Sequence, residues 1–279
     1  MRIQSRADPR LRTYLDLKDR DLRRETGLFL AEGEHVVRRA FAAGLRVRSV
    51  LVVESKVPRV EAMIADAGRR TDEVEVLACS KSVIEDTVGF QMHQGIIAAV
   101  EPPPSPEWSV ALRQESDHAA AVILVCPETT NVDNLGLLVR VAAGLGVRAM
   151  VLGPRCADPW YRRAVRVSMG AVFTLPILRS GDLDADLGRL RDDFGYELIA
   201  TVTDPDAPPL HRLKRSEIFR GRGRAVLLGS EGYGLPAELV ARCDRRVRVP
   251  MHHDVDSLNV AVAAGIVIHH LVTLGPGGE

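Results

Sequence analysis

The 279-residue sequence lacks the features that mark a membrane, secreted or strongly charged protein. No uncharged apolar run approaches the ~20 residues that are needed to cross a bilayer. The segment Met1–Arg6 has no apolar core of the kind that export signals contain. The 37 basic residues are balanced by 37 acidic ones, so no overall field draws the chain toward nucleic acid. We therefore expect a soluble, cytoplasmic protein that does not bind membranes.

Closely spaced cysteines are absent as well. The four cysteines form no C-x-x-C pair and lie far apart, at Cys79, Cys126, Cys156 and Cys243. In a cytoplasmic chain this spacing indicates reduced thiols. Lysine is also scarce, since arginine outnumbers it 33 to 4. An arginine-rich segment is therefore weak support for a nucleic-acid surface in this sequence.

The first half of the chain alternates between short apolar runs and helical patterns. Residues 1–100 are thus predicted to form a small α/β domain with a largely parallel sheet. Within it, residues 1–25 carry many charges of both signs. One interpretation is a solvated amphipathic helix with Leu11, Leu15 and Leu22 on its inner stripe. The other is a phosphate-facing surface formed by Arg10, Arg12, Lys18, Arg20, Arg23 and Arg24.

A proline-rich stretch separates the two halves of the sequence. It begins at Glu101–Glu107, where the prolines prevent both a helix and a ladder of strands. We predict a semi-rigid linker over residues 101–118. The alternation then restarts, so residues 119–279 are predicted to form a second α/β domain with a parallel sheet. A chain of 279 residues has room for two domains of ordinary size.

The first polar constellation follows a buried strand of the second domain. Asn131, Asp133 and Asn134 lie at a strand-to-helix turn, where α/β proteins place their ligands. Arg140 then stands in an apolar helix, and a buried guanidinium there needs anionic or carbonyl partners. A structural ion pair and a clamp for a phosphate or a developing oxyanion are both compatible with this pattern.

The second constellation is the glycine-rich loop Leu228–Pro236, again between a strand and a helix. Its glycines let backbone amides approach a ligand closely. The order of the glycines differs from G-x-G-x-x-G and from the P-loop pattern, so a Rossmann nucleotide loop is disfavoured. Glu231 within this loop is either a fixed functional group or a solvated side chain.

The third constellation runs from Arg246 to Ile266. A short strand ends at Pro250, and Asp256 or Ser257 is predicted to cap the helix that follows. That helix is apolar nearly all round from Leu258 onward, which indicates burial. Asn259 is the exception, and a buried amide requires a ligand or a backbone partner.

Histidine pairs occur nearby but do not form a metal-binding pattern. His252-His253 and His269-His270 accompany Asp254, yet adjacent histidines point in different directions. No H-E-x-x-H or C-x-x-C spacing supports them, so we predict no metal site. The three constellations themselves are predicted to converge on one edge of the sheet, where they would form a site.

The order of these constellations resembles the SpoU (TrmH) family of RNA ribose 2′-O-methyltransferases, within the SPOUT superfamily. The similar stretches are, in chain order, Asn131–Gly146, Leu227–Pro236 and Val249–Ile266. The resemblance covers residues 120–274. The sequence departs from the family pattern at Asp133, where glycine is common, and at His252-His253.

The first half of the chain resembles the ribosomal-protein-like RNA-binding domain that is often fused to this catalytic domain. The matching pieces are Phe29–Gly33, the helix after it, and Gln94–Val100. The resemblance thus implies that the first domain binds substrate RNA, with the 2′-hydroxyl and splayed single-stranded bases as its recognition features.

The resemblance also implies a deep trefoil knot in the second domain and S-adenosylmethionine as the cofactor, bound mainly by backbone groups. By position, the residues that would line or flank the cofactor are Gly229, Val249, Leu258, Thr201 and Met251. Members of the family are homodimers with sites near the interface. The run of small residues suited to close helix packing there is Ala261, Ala263, Ala264 and Gly265.

The implied reaction is methyl transfer to a ribose 2′-hydroxyl, with ribosomal RNA favoured over transfer RNA. The resemblance makes Arg140 the central catalytic residue, surrounded by Asn134, Glu231, Ser257 and Asn259. A guanidinium is effectively always protonated, so Arg140 is a doubtful base. We interpret it as a holder of the target phosphate and a stabiliser of the developing alkoxide, oriented by Glu231.

Basic residues around the second constellation form a candidate phosphate track, comprising Arg212, Lys214, Arg215, Arg220, Arg222 and Arg224. Two other functions remain open at this point. The chain either retains the fold as an RNA-binding protein that no longer transfers methyl groups, or it is a nucleotide-dependent oxidoreductase, which the glycine order disfavours.

Overall fold

The structure is a computed structural model that describes residues 2–15, 19–92, 94–113, 121–213, 223–253 and 255–273. It divides into two compact units. The first contains Met1–Pro104 and Asp158–Thr174, and the second contains Ser105–Ala157 and Leu175–Glu279. All four cysteines are free thiols. Within the described ranges, no helix has both the length and the apolarity that a bilayer crossing requires.

The first unit is built on a five-stranded sheet in the order β1-β4-β3-β5-β2. The strands are β1 Arg2–Ile3, β2 Phe29–Glu32, β3 Val47–Val53, β4 Glu75–Cys79 and β5 Ile96–Val100. Strands β1, β4 and β3 run parallel, but β5 is antiparallel to both of its neighbours. Because β2 is antiparallel to β5, it runs in the same direction as β1, β3 and β4. The sheet is thus mixed, but four of its five strands share one direction, in agreement with the prediction of a largely parallel sheet.

The N-terminal residues do not form the single amphipathic helix that their charge pattern suggests. After β1 the chain makes a 3₁₀ turn, Pro9–Tyr14, and then helix α1, Asp19–Thr26. Proline at the start of that turn favours a separate short element over a continuous helix. Leu11 and Leu22 are nevertheless buried, whereas Leu15 is half-buried. Lys18 and the side chain of Arg20 lie outside the described residues.

Three further helices cover the first sheet, namely α2 Glu34–Ala42, α3 Val57–Asp66 and α4 Lys81–Val88. Helix α4 shows why the local sequence sets these bounds. The Ser80 hydroxyl accepts the Val83 amide hydrogen at 3.3 Å, and Gly89 ends the helix with a φ of 76°. A serine N-cap and a left-handed glycine are the usual start and end of a helix.

Residues 158–174 form part of the first unit although the sequence-based division places them in the second domain. Helix α7, Arg162–Val167, lies in this segment. Glu32, which is only 8% exposed, accepts from Arg162 at 2.5 Å and from Arg166 at 3.4 Å. The ring of Phe29 packs 5.0 Å from that of Trp160. The segment thus completes the core beside β2.

The second unit is built on a six-stranded sheet in the order β11-β9-β10-β6-β7-β8. Its strands are β6 Val122–Cys126, β7 Ala149–Leu152, β8 Ile177–Arg179, β9 Glu197–Thr201, β10 Arg224–Leu227 and β11 Arg245–Val247. Every pairing is parallel, so the predicted α/β fold with a parallel sheet is confirmed. Strand β8, with three residues, was not predicted.

The helices of the second unit are α5 Trp108–Ala111, α6 Val132–Gly144, α8 Leu183–Asp192, α9 Ala237–Arg242 and α10 Val260–Thr273. Helix α5 falls within the predicted linker, residues 101–118, and Ala111 and Leu112 are buried in the core of this unit. This part of the predicted linker is therefore packed in the second unit. Residues 114–120 lie outside the described ranges.

Helix α10 is not buried all round, contrary to the sequence-based expectation. Val262 is 53% exposed, Ile266 40% and Val272 42%, whereas Ala264, Val267 and Ile268 are buried. On the inner side, a side-chain carbon added at Gly265 would lie 3.6 Å from Val141 of α6, which is ordinary van der Waals contact. One apolar face of α10 therefore packs against α6, and another remains uncovered.

Arg224 is a fully buried arginine at the start of β10. Its Nη1 donates to the Leu271 carbonyl at 2.9 Å. That carbonyl lies in the last turn of α10, where carbonyls lack donors from the helix itself and a cation suits the helix dipole. Burial lowers the pKa of Arg224 to about 10. Assigning Arg224 to an RNA-facing phosphate track is therefore wrong, because its guanidinium anchors a helix end inside the protein.

We expect Arg224→Met to destabilise the fold, because the substitution keeps apolar volume but leaves the Leu271 carbonyl without this donor. The free energy of unfolding, measured by urea denaturation, should fall by about 1–3 kcal/mol. Arg212→Ala is the control, since Arg212 is exposed and its loss should change stability by no more than about 0.5 kcal/mol. An unchanged midpoint in Arg224→Met would contradict the anchoring role.

Candidate functional site

The candidate site lies at the carboxyl edge of the second sheet, where loops leave β6, β10 and β11. The loop after β6 leads into α6, whose N-cap is Asn131. The Asn131 Oδ1 accepts the amide hydrogens of Asp133 at 2.9 Å and Asn134 at 3.2 Å. Asn131 therefore satisfies the free amides of the first helical turn. Of the polar residues predicted at this turn, it is Asn134 that reaches the other loops.

Asn134 joins the three loops through its side-chain amide. Its Nδ2 donates to Oε1 of Glu231, which belongs to the glycine-rich loop after β10. Its Oδ1 accepts from Nδ2 of Asn259 at 3.0 Å, and Asn259 precedes α10. An amide donates and accepts at once, so one side chain connects a carboxylate to a second amide.

Asn259 is the N-cap of α10, which corrects the expectation that Asp256 or Ser257 caps this helix. Its Oδ1 accepts the Ala261 amide hydrogen at 2.9 Å, and the helix begins at Val260. Asn259 is also exposed rather than buried. Its partners are Asn134 and the helix backbone, so the amide is satisfied within the protein.

The glycine-rich loop has its shape fixed by backbone contacts. Ser230 and Gly234 exchange two backbone hydrogen bonds, of 3.1 and 3.0 Å. A side-chain carbon on Gly229 would come within 2.5 Å of the Gly234 backbone, so only glycine fits there. Gly234 itself has a φ of 67°, which glycine adopts at no steric cost. The residues between them, including Glu231, form the tip of the loop.

A cavity of about 970 Å³ opens beside these loops within the second unit. It is lined by all five residues that the resemblance assigns to the cofactor, namely Thr201, Gly229, Val249, Met251 and Leu258. Three of the five predicted catalytic residues also line it, namely Glu231, Ser257 and Asn259. Its size is at the upper end of the range for small-molecule sites.

The lining combines apolar side chains with backbone groups. Leu258, Val249 and Met251 are half-buried and offer apolar surface. The Thr201 hydroxyl donates to the Leu227 carbonyl at 2.7 Å, so it stabilises the sheet edge rather than pointing freely at a ligand. Such a cavity suits a ligand with an extended apolar or aromatic part.

Sequence reasoning missed an ion pair at the cavity. Arg246 of β11 contacts Asp204 at 3.1 Å, and both residues line the cavity. Asp204 follows the carboxyl end of β9, and that position is the signal that could have identified it. Tyr233, at the tip of the glycine-rich loop, is a second lining residue that the sequence pattern does not indicate.

Arg140 is not buried, although the residues around it in the sequence are apolar. It is exposed on the same outward stripe of α6 as Leu137, three residues earlier. It does not line the cavity, and it has no hydrogen-bond or ion-pair partner among the described residues. The expected orientation by Glu231 is also not observed, because Glu231 accepts from Asn134. The sequence pattern misled because α6 is amphipathic, with Leu138 and Val139 on its buried face.

The other charged candidates do not converge on the site. In the described part of the chain, no cluster of three or more His, Cys, Asp or Glu residues could hold a metal ion. His252 and His253 are exposed, and His253 has a φ of 59°. Of the basic track, Arg212 is exposed. Four further members of this track, Lys214, Arg215, Arg220 and Arg222, lie outside the described residues. Asp254, which follows His252-His253 in the sequence, also lies outside them.

Comparison with known families gives two matches along the chain. The SpoU rRNA Methylase family matches residues 121–269, and the MRM3-like substrate binding domain matches residues 8–98. The first match contains all three loops of the site. The second covers most of the N-terminal part of the first unit.

Individual relatives extend over nearly the whole chain. The sequence is 34% identical to an uncharacterized tRNA/rRNA methyltransferase of Mycobacterium bovis, over 97% of this chain and 92% of that protein. It is 27% identical to the 23S rRNA (guanosine(2553)-2′-O)-methyltransferase RlmP of Bacillus subtilis, over 96% and 98% respectively. An AdoMet-bound rRNA methyltransferase from Sinorhizobium meliloti has a TM-score of 0.78 and 25% identity, with 97% of each chain covered. The chain therefore belongs to the SpoU rRNA methylase family.

Proposed function

We propose that the protein is an S-adenosylmethionine-dependent methyltransferase that acts on a ribose 2′-hydroxyl of RNA, with ribosomal RNA favoured over transfer RNA. The observation that carries the proposal is the linkage of Glu231, Asn134 and Asn259 beside the cavity of about 970 Å³. Ribosomal RNA 2′-O-methylation is also the activity in the name of the Bacillus subtilis relative. A cytoplasmic location is part of the proposal.

The cavity fits S-adenosylmethionine in its size and in its lining. Gly229 has no side chain, and Val249, Met251 and Leu258 offer half-buried apolar surface, which suits the adenine ring. Asp204 supplies a carboxylate at the same cavity, suited to a hydroxyl or an ammonium group. When bound, S-adenosylmethionine supplies an electrophilic methyl group on its sulfonium.

The residues of the chain position the acceptor and stabilise its charge. Transfer requires the ribose oxygen in line with the methyl group at ~3–3.5 Å, so positioning contributes much of the rate. Asn134, Glu231, Ser257 and Asn259 shape the region where the ribose is held. Arg140, which is exposed and without a partner in the described structure, is free to hold the target phosphate and to stabilise the developing alkoxide.

The proposal includes two domain-level features. The first unit binds RNA, and the second unit, which contains the cavity and its three loops, carries out the methyl transfer. The match of residues 8–98 to an MRM3-like substrate binding domain supports the first assignment. Recognition of RNA rather than DNA depends on the 2′-hydroxyl itself.

A deep trefoil knot in the methyltransferase domain is part of the proposal. Two observations support it. The Arg248 amide donates to the Pro208 carbonyl at 3.1 Å, and the Leu210 amide donates to the Arg248 carbonyl at 2.8 Å. Strand β11 follows β10 in the chain but pairs with β9. The segment after β11 thus runs alongside the loop after β9, an arrangement that a threaded path requires.

We test the function with purified protein, radiolabelled S-adenosylmethionine and 23S ribosomal RNA transcribed in vitro, which carries no modifications. Wild-type protein should label ribose at the 2′-oxygen. Arg140→Ala should lower the transfer rate by about 10²–10³-fold, the loss typical of removing one group that stabilises a developing oxyanion.

The control in this experiment is cofactor affinity. Because Arg140 does not line the cavity, calorimetry should give the same dissociation constant for S-adenosylmethionine in Arg140→Ala as in the wild type. A wild-type transfer rate in that variant would contradict the role of Arg140. Cofactor binding without labelled ribose in any unmodified RNA would contradict the proposed function itself.

Asn259 offers a test that separates capping from positioning. Asn259→Ala removes both the cap and the contact with Asn134, whereas Asn259→Asp keeps an oxygen for the Ala261 amide. We expect both variants to lose about 10- to 100-fold in rate through misplacement of the loops. Only Asn259→Ala should also lose about 0.5–2 kcal/mol of stability. Full activity in Asn259→Asp would refute the positioning role.

A homodimer through the second unit is also part of the proposal. The exposed apolar side chains Val262 and Ile266 lie on α10, and Leu137 is exposed on α6, the helix that packs against α10. The sequence suggested that the small residues of α10 pack against the second protomer, but two of them pack inside the single chain instead. Ala261 and Ala264 are buried within the chain itself.

Light scattering should therefore give the mass of a dimer for the wild type and of a monomer for Ile266→Asp. Ile266 is exposed in the single chain, so the substitution should leave the fold intact. Val110→Asp is the matched control, since Val110 is 66% exposed on α5 of the same unit. A monomeric wild type, or an Ile266→Asp variant that stays dimeric, would contradict the interface.

A further inference from the structure

Tyr233 is an aromatic residue with almost no packing of its own. Its exposed fraction is 97%, and it lies at the tip of the glycine-rich loop, on the lining of the cavity. All other aromatic residues in the described ranges are buried or half-buried. A full exposure of this kind places a large planar surface in water at the mouth of the proposed active site.

The loop fixes the backbone position of Tyr233 and leaves its aromatic ring in solvent. Ser230 and Gly234 are paired by two backbone hydrogen bonds, and Gly229 packs directly on the Gly234 backbone. Two residues before Tyr233, Glu231 is tied to Asn134. The position of Tyr233 along the loop is therefore fixed by contacts on both sides, although its side chain has no packing partner.

Gly232, directly before Tyr233, has no conformational reason to be glycine. Its φ lies outside the left-handed region, and a side-chain carbon built on it would meet nothing within 4 Å. It differs in this from Gly229, which is crowded, and from Gly234, which has a positive φ. The missing side chain thus leaves open space at the tip of the loop, next to the aromatic residue and to Glu231.

We propose that Tyr233 is a positioning residue that stacks on an unpaired base of the RNA at the mouth of the cavity. The inference rests on the proposed function. A ribose 2′-hydroxyl reaches the transfer site only if its nucleotide is held apart from the RNA stack, and proteins hold such bases on aromatic faces. Every base offers a π-face, so Tyr233 supplies affinity for an unpaired nucleotide of any identity.

The exposed ring of Tyr233 could contact one of three partners, namely an RNA base, the cofactor or a second protomer. A base that stacks on it increases RNA affinity, contact with the cofactor would increase affinity for S-adenosylmethionine, and contact with a second protomer would stabilise a dimer. The open space at Gly232 and the almost complete exposure of the Tyr233 ring favour the RNA. The three differ in the measurement that a substitution changes.

The test compares Tyr233→Ala, Tyr233→Leu, Tyr233→Phe and Tyr233→Trp with the wild type, using the full chain and unmodified 23S ribosomal RNA. Loss of one stacked base corresponds to a roughly 5- to 150-fold rise in KM for RNA. We expect this rise in the Ala and Leu variants, with kcat changed much less. The Phe and Trp variants should retain a KM within about threefold of the wild type, since they keep an aromatic face.

Val110→Ala is the control for loss of an exposed apolar side chain, and the dissociation constant of S-adenosylmethionine and the mass in solution are measured for every variant. A KM for RNA unchanged in Tyr233→Ala would overturn the inference. So would a Leu variant that behaves like Phe, a weakened cofactor affinity that accounts for the loss, or a change in mass. If the wild type transfers no methyl group, the proposed function fails; if it transfers normally and Tyr233→Ala does too, only the stacking role fails.

Discussion

The arrangement of the site depends on a single side-chain amide, that of Asn134. Its nitrogen donates to Glu231, 97 residues away in the sequence, and its oxygen accepts from Asn259, 125 residues away. A carboxylate in this position would repel Glu231, and an aliphatic side chain would remove the hydrogen bonds to the Glu231 carboxylate and to the Asn259 Nδ2. Asn259 in turn caps α10, so the same contact sets where that helix begins. The first turn of α6, the glycine-rich loop and the start of α10 are thus held in one geometry by groups that are partly open to solvent. Such hydrogen bonds contribute modestly to stability, about 0.5–1.5 kcal/mol each. Their larger effect is on the relative placement of three loops that have no regular secondary structure.

Much of this organisation can be read from the sequence, and the failures have identifiable physical causes. The polar residues of the three loops were selected because they follow buried strands, and parallel strands bring their carboxyl ends to one edge. The side chain that caps α10 could not be chosen among Asp256, Ser257 and Asn259, because all three are good N-caps and the choice depends on the contact with Asn134. Arg140 was expected to be buried because its neighbours in sequence are apolar. It is exposed because it lies on the outward stripe of an amphipathic helix. Strand β8, with three residues, is too short to give a periodic signal. The membership of residues 158–174 in the first unit depends on contacts distant in sequence, such as that of Arg162 with Glu32.

The glycine-rich loop shows how one residue type serves three different needs. At Gly229 the neighbouring backbone leaves no room for a side chain, at Gly234 the backbone adopts a positive φ, and at Gly232 neither constraint applies. In the sequence these glycines look equivalent, and all were interpreted as permitting close approach of a ligand. The structure assigns the first two to the shape of the loop itself. A cavity that is lined largely by backbone and by small or aliphatic side chains leaves little chemical signature in a sequence, which is why the cofactor residues were identified from resemblance rather than from residue type. Asp204 is the exception, since a carboxylate after a central strand is a readable signal that went unused.

The two charged residues proposed to act on the RNA differ in how far they are prearranged. Glu231 is held by Asn134, whereas Arg140 is exposed and has no partner in the described residues. Fixing a long, flexible side chain costs up to about 1.5–2 kcal/mol of conformational entropy. A hydrogen bond to a charged group contributes roughly 1.5–3 kcal/mol, and a guanidinium makes two such bonds to one phosphate. A correctly placed RNA phosphate is therefore sufficient to order Arg140, and nothing in the described single chain does so beforehand. On the proposed role, the guanidinium stabilises the developing alkoxide only after the substrate has ordered it. An RNA that places no phosphate within its reach leaves Arg140 mobile and the transition state without its cation, so selection among RNAs extends from binding into the chemical step.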